Sequence, residues 1–271
     1  MPEIVEVEII TTWLDKHHRG CIIRNASHYT DVINNTVIDN VSRKGKQIFF
    51  RLNNRGTLFY LNSRLGLQGK WSHSPGNNTR FWLELEKQDI IIKDNKFELI
   101  TENLILYNDD SQNFGDVELL SEKGYQNKLR KIGPDFLNDK ITLEMWMNKL
   151  KYKRISNKQI CDFLLEQSYF SGIGNYLKAD ILYHSKIKPD RTLNTLTDLE
   201  IETLLNSSFY IIGLAYKYGG LTIKSFWSPD GAKGMYPTLV YNRKTDSYGN
   251  KVEKSHFDDN RTTHWVPAIQ R

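Results

Sequence analysis

At 271 residues, 39% hydrophobic and 25% charged, the chain carries enough apolar side chains for one large core or two ordinary ones, which excludes a disordered protein. Lysine and arginine outnumber aspartate and glutamate by 37 to 32, and the net charge of +5 permits a basic face without requiring a polyanionic partner. No run of 18 apolar residues occurs, and the start MPEIVEVEII carries acids where a secretion signal carries lysine or arginine, so the expectation is a soluble intracellular protein with no membrane contact.

In chain order, Ile4, Val7, Ile10 and Leu14 recur at three-to-four spacing and predict an amphipathic helix over residues 3–15. From about 20 to 120, β-rich runs at 46–52, 57–61, 79–85 and 97–107 alternate with turn formers such as Asn53-Asn54-Arg55-Gly56, the pattern of an all-β sandwich or barrel. A Gly-Pro pair in Lys131-Ile132-Gly133-Pro134-Asp135 breaks the chain, and helical patterns follow at 143–150, 159–167, 176–184 and 198–218. After Tyr218-Gly219-Gly220 an irregular segment runs to about Pro237. Alternation then returns at 238–242, 251–256 and 262–266, as in a terminal β-hairpin. The predicted class is α+β multidomain: an N-terminal β-sandwich with an N-terminal helix at 1–130, a helical domain at 131–235 and a β-hairpin at 236–271.

Cys21 and Cys161 are too few for a disulfide framework or a thiolate zinc site, and the seven histidines lack metal-ligand spacing. No metal and no cofactor are expected. Four constellations can carry chemistry. Removal of Met1 ahead of the small Pro2 exposes a secondary amine beside Glu3; α-amines titrate at about 7.7–8.0, so part is unprotonated at neutral pH and able to form a Schiff base at a sugar carbon, with Glu3 moving protons. Lys46, in Arg43-Lys44-Gly45-Lys46-Gln47 at a strand start, can hold a phosphate or donate a proton. Ser171-Gly172-Ile173-Gly174-Asn175 reads as a tight turn between two helices, with Asn175 as N-cap and free N–H groups facing a ligand, as at a phosphate site. Arg261 opens the last strand, where its fork can grip a phosphate. Singly, each also fits an ordinary chain start, a solvated lysine, a helical hairpin with glycine in its turn, or an inert basic tail.

Together and in this order, the four resemble the formamidopyrimidine-DNA glycosylase and endonuclease VIII (Fpg/Nei) family from residue 2 to residue 270. MPEIVEVE looks like the family's MPELPEVE, departing at Ile4 and Val5; IGPDFL from Ile132 is similar to its LGPDPL, and GIGNYLKADILY to its helix-two-turn-helix (H2TH) motif. The resemblance implies Pro2 as Schiff-base nucleophile, Glu3 as proton donor, Lys46 in phosphate contact and β-elimination, and Asn175 and Arg261 on phosphates, Arg261 also in δ-elimination. RTTHWVPAIQ looks like the family's zinc-finger ending, but Val266 and Ile269 stand at two cysteine positions, and Thr245 and Tyr248 roughly at the other two. This is similar to the zincless finger of some members, an apolar contact replacing the metal. In Leu65-Gly66-Leu67-Gln68-Gly69, Leu67 stands where the family has its wedge methionine. In Asp110-Ser111-Gln112-Asn113-Phe114-Gly115, Phe114 fits the intercalating aromatic, while Gln112 replaces the arginine that pairs with the orphaned base.

The implied activity is a bifunctional DNA glycosylase and abasic-site lyase of base excision repair, acting as a monomer on double-stranded DNA with oxidised bases or abasic sites. It would excise formamidopyrimidines, hydantoins and oxidised pyrimidines, with 8-oxoguanine a poor substrate, and the segment from Gly219 to Gly234 resembles the Fpg loop over a flipped purine. Bacterial, viral and nuclear members look alike at these positions. The alternative is a non-catalytic nucleic-acid-binding protein using the H2TH element, which has no use for a free proline amine.

Overall fold

The computed structural model describes residues 2–93, 96–221, 229 and 231–271. The chain forms two compact units. The first contains Glu6–Arg130 and Pro2; the second contains Glu3–Val5, Lys131–Thr222 and Lys233–Arg271.

The first unit contains α1 (Ile4–His18) from Glu6 onward and continues through β1 (Ile22–Ala26), the single turn α2 (Thr30–Ile33), β2 (Val37–Lys44), β3 (Gln47–Asn54), β4 (Thr57–Arg64), β5 (Lys70–Ser72), β6 (Thr79–Lys93), β7 (Lys96–Asp109), β8 (Asp116–Ser121) and α3 (Glu122–Leu129). The strands form one antiparallel sheet in the order β5-β7-β6-β1-β2-β3-β4-β8. The Trp71 indole N–H on β5 donates to Ser63 Oγ on β4 at 3.1 Å, and the Trp71 ring lies 5.1 Å from that of Phe50 on β3. Since β5 and β4 stand six places apart in the sheet, only a sheet folded over on itself brings them together: the predicted sandwich. Ile23, Ile38, Phe50, Leu61, Phe81 and Leu83 fill the space between its layers, joined by Val7, Ile10 and Leu14, the predicted stripe of α1.

At the end of α1 His18 is fully buried. Its Nδ1 meets the Leu14 carbonyl at 2.8 Å, and its Nε2 lies 2.8 Å from His73 Nε2. Burial first, and then the neighbouring His73, His17 and Lys87, push its pKa down to about 4. The folded value lies below the unfolded one of about 6.5, so the stability His18 contributes is complete above pH 6.5 and lost as pH falls from there toward 4. The expected slope is about 1.4 kcal/mol per pH unit across that window. Urea unfolding between pH 7 and 4.5 measures it, and His18→Gln is expected to flatten the profile; an unchanged slope in that variant would refute the assignment.

The second unit holds α4 (Leu143–Leu150), α5 (Lys153–Ser156), α6 (Ile160–Leu165), α7 (Asn175–His184), α8 (Asp198–Lys217) and the hairpin of β9 (Glu253–His256) and β10 (Thr262–Trp265). Thr142 caps α4, and Thr197 with Glu200 forms a capping box at α8. Helix α7 is the hub, with Tyr176 to Tyr183 buried without a break, including Lys178 and Asp180. A helix buried on every side must find partners for its charges inside the protein.

Asp180 finds them in the segment predicted as a strand at 238–242. Its Oδ1 accepts the N–H groups of Val240 and Tyr241, and its Oδ2 those of Leu239 and the Tyr236 hydroxyl, all at 2.9–3.1 Å. Three consecutive N–H groups converging on one carboxylate cannot alternate as in a strand, so this stretch is a turn and the terminal sheet has two strands.

The hairpin is held in two ways. Val266, at a cysteine position of the resembled zinc finger, is fully buried with Val240, Val252, Ala179 and Tyr183, and Ile269 packs against this cluster. Thr245 and Tyr248 are exposed; between them Asp246 is buried, accepting from the N–H groups of Tyr248 and Asn250, the Asn250 amide and the Tyr183 hydroxyl at 2.8–3.0 Å. Burial works to raise the Asp246 pKa, but these donors outweigh it and the net shift is downward. A carboxylate with converging donors thus organises the knuckle, beside the apolar contact expected from sequence. Among the described residues no helix is long and apolar enough to cross a membrane, and no cluster of His, Cys, Asp or Glu is arranged to hold a metal.

Candidate nucleic-acid interface

The turn before α7 departs from its sequence reading. Gly174, not Asn175, is the N-cap, and Asn175 is the first helical residue. Three of the N–H groups at this helix start are taken by the chain itself: Gly174 N–H donates to Glu3 Oε2 at 2.7 Å, Tyr176 N–H to Glu3 Oε1 at 2.9 Å and Leu177 N–H to Glu3 Oε2 at 3.3 Å. Glu3, 2% exposed, therefore caps α7 with its carboxylate at the positive end of the helix. The glycines do permit a close approach, but by the chain's own start. A Cβ on Gly174 would lie 2.3 Å from the Glu3 carboxyl carbon, and one on Gly172, whose φ is +106°, would lie 2.5 Å from Ile4 Cδ1. The Ile4 N–H completes the seam with a 3.0 Å bond to the Gly172 carbonyl. Pro2, next to Glu3 in the chain, is buried.

Asn175 points to the hairpin: its Nδ2 donates to the Thr262 carbonyl at 2.9 Å. With Arg261, Thr262, Tyr241, Asn242, Lys254, His256, Asn260 and His264 it lines a cleft of about 480 Å³. Arg261 is exposed, and its guanidinium has no ion pair among the described residues. Among the described residues, both ring nitrogens of buried His264 and the Asn175 Oδ1 lack a hydrogen-bond partner, although buried polar atoms ordinarily have one. Burial, then Lys254 and Lys178, lower the His264 pKa. The cleft thus offers two exposed cations and a neutral imidazole, a surface for an anion.

Lys254 and His256 had no assigned role in the sequence. Their two-residue spacing on β9 was the available signal: the register sets His264 opposite Lys254 and Thr262 opposite His256, so they share the face of the cleft.

In the first unit, Lys46 sits in the two-residue turn Gly45-Lys46 between β2 and β3, one position before the strand it was expected to open, and is half-buried with a partner. Leu67 and the pair Gln112 and Phe114 lie on loops brought side by side. Arg64, closing β4, pairs with Asp116, opening β8, so both loops leave the same end of the sheet. The Ser111 hydroxyl donates to the Gln68 side chain, and buried Asp110 ties its own loop by accepting from Gln112 N–H at 3.1 Å and Gly115 N–H at 2.6 Å. Leu67 is half-buried, Gln112 is exposed, and Phe114 is 62% exposed, much apolar surface for a residue on a braced loop. Half of the segment from Gly219 to Gly234 expected to cover a lesion, residues 222–228 and 230, lies outside the described residues.

A family model for the formamidopyrimidine-DNA glycosylase N-terminal domain matches residues 1–117, one for its H2TH domain residues 132–226, and one for its C-terminal domain residues 234–271. The chain is similar to the formamidopyrimidine-DNA glycosylase of Lactiplantibacillus plantarum, 31% identical over 290 residues that span all of both proteins. It is 30% identical to that of Pediococcus pentosaceus over 289 residues, covering all of this chain and 99% of the relative. Among solved structures, the MutM (Fpg) protein of Thermus thermophilus superposes with a TM-score of 0.83 at 25% identity, covering 99% of this chain and 98% of that one. Fpg of Lactococcus lactis in complex with DNA containing an abasic site gives 0.82 at 25% identity, with 99% of each chain covered. The same protein with DNA containing an oxidised pyrimidine gives 0.82 at 25% identity, with both chains covered in full.

Proposed function

Because the chain belongs to the formamidopyrimidine-DNA glycosylase family, we propose that it excises oxidised bases from duplex DNA and then cleaves the strand, with the amine of Pro2 as nucleophile once Met1 is removed. The observation that carries this reading is the capping of α7 by Glu3. A carboxylate fixed by three backbone N–H groups is preorganised, and its neighbour in the chain is the proline that must meet a sugar carbon.

The Pro2 nitrogen attacks C1′ of a nucleotide rotated out of the stack, the glycosidic bond breaks, and the base leaves with a proton. Opening of the sugar gives an iminium between Pro2 and C1′. Loss of a C2′ proton then expels the 3′-phosphate, and a second elimination expels the 5′-phosphate, leaving a one-nucleotide gap. Glu3 stabilises the developing positive charge and relays protons. Lys46 in the first unit and Asn175 and Arg261 in the second hold phosphates, contacts that position the strand without reading sequence. Arg261 also serves the second elimination. Leu67 and Phe114 fill the gap left by the everted nucleotide, and Gln112, whose amide both donates and accepts, faces the orphaned base with little selectivity. The favoured lesions are formamidopyrimidines, hydantoins and oxidised pyrimidines, with 8-oxoguanine poor.

Borohydride reduces an iminium to a stable amine. The processed protein is expected to become covalently attached to lesion-containing duplex, and a Pro2→Gly, Glu3→Gln variant with a blocked N-terminus to give no adduct. Absence of the adduct in the wild type, or its persistence in that variant, contradicts the mechanism.

A further inference from the structure

Helix α7 sends two side chains from one face, three positions apart, onto the hairpin. Asn175 takes the Thr262 carbonyl at 2.9 Å. One turn later Lys178 forms an ion pair with Asp259 and donates to the Thr263 hydroxyl at 2.7 Å. The ion pair is sealed, its side chains 0% and 1% exposed. The second Asp259 oxygen accepts the Arg261 N–H at 3.0 Å, and Gln159 Oε1 accepts the Asp258 N–H at 3.2 Å. Asn260 between them adopts a left-handed φ of 52°. The backbone on both sides of Arg261 is therefore fixed while its guanidinium is left exposed to the cleft.

A buried ion pair costs more desolvation than an apolar pair of the same volume, so it is a poor way merely to fasten a hairpin already packed through Val266. What it adds is direction: a buried lysine amine can donate to its partners in few arrangements, and here Asp259 lies in the turn that carries Arg261 while Thr263 stands two residues after Arg261 on β10.

We infer that Lys178, through its buried pair with Asp259, is a positioning residue that sets where Arg261 presents its guanidinium to a DNA phosphate. The inference rests on the phosphate role proposed for Arg261. Lys178→Met leaves Asp259 buried and unpaired, and the turn must open to hydrate it. The dependence of binding on salt, measured on duplex DNA with an abasic-site analogue, is expected to lose about one unit of log–log slope, the same loss as in Arg261→Ala. Nicking of a preformed abasic site is expected to fall about tenfold or more. In the double variant Lys178→Met, Arg261→Ala, neither quantity falls beyond Arg261→Ala alone, since both changes remove one contact.

Asp259→Asn, which keeps the side chain's size and an acceptor, is the second variant and is expected to behave alike; it carries the test if Lys178→Met does not fold. A purely structural role predicts lowered thermal stability with the wild-type salt slope, and losses that add to those of Arg261→Ala. Either result in a folded variant overturns the inference. If the wild type binds with the expected slope but never nicks, the catalytic reading fails while the slope comparison still decides the positioning role.

Discussion

Gly174→Ala is expected to lower single-turnover base release and borohydride trapping together by about 100-fold or more, near 2.7 kcal/mol of transition-state stabilisation. The backbone at Gly174, φ −124° and ψ −157°, is extended and open to alanine, so the effect does not come from a strained peptide. It comes from the new methyl group, 2.3 Å from the Glu3 carboxyl carbon and 2.5 Å from its Oε1. The carboxylate must leave, and the N–H groups of Tyr176 and Leu177 lose their acceptor in the interior, at about 1–3 kcal/mol each.

The control is Gly213→Ala. Gly213 lies on the exposed side of α8, where a Cβ meets nothing within 4 Å, so alanine there gains helix propensity and leaves catalysis unchanged. Excision within tenfold of wild type in a folded Gly174→Ala protein would show that the Glu3 position is not required, and the reading of Glu3 as part of the chemistry would fall with it.

Capping of α7 by Glu3 also marks where the sequence stops being legible. Glycines before a helix announce a close approach of something, and the sequence reading named a phosphate. The group that approaches is a side chain 171 positions away in the chain, and no local pattern carries that pairing. Local patterns were otherwise informative. The stripe of Ile4, Val7, Ile10 and Leu14 is buried as expected, and α4 spans the predicted 143–150, because burying a helix face requires a periodic sequence. The bracing of the Leu67 loop against the loop of Gln112 and Phe114 was not readable. It depends on β4 pairing with β8 across more than 50 residues, a register set by the folded sandwich. The carboxylates that hold the hairpin and the segment before it are not legible in the sequence. Asp180, Asp246 and Asp259 look like surface residues in the sequence, and only the fold shows each surrounded by donors.

Asp180→Asn is expected to give the largest loss of stability, about 3 kcal/mol, through the geometry of four donors around one carboxylate. An asparagine retains one accepting oxygen. If that oxygen keeps Val240 and Tyr241, the amide nitrogen faces the Tyr236 hydroxyl and the Leu239 N–H. The hydroxyl can rotate and accept, but the Leu239 N–H cannot, so a donor meets a donor in the interior; turning the amide over exposes the Val240 and Tyr241 N–H groups instead. The segment held by Asp180 supplies Tyr241 and Asn242 to the anion cleft and Val240 to the apolar cluster under the hairpin, so the damage spreads from folding to binding. Hydrogen exchange gives the most direct measurement: the amides of Leu239, Val240 and Tyr241 are expected to lose protection by at least about 100-fold, a change near 2.7 kcal/mol, while those of β3 in the first unit keep theirs. Wild-type protection at the three amides in Asp180→Asn would mean that the segment is held by packing alone. Tyr236→Phe discriminates further. It removes the one donor able to reverse its role, and in the Asp180→Asn background it is expected to cost more than in the wild type, because the asparagine nitrogen then has no acceptor left.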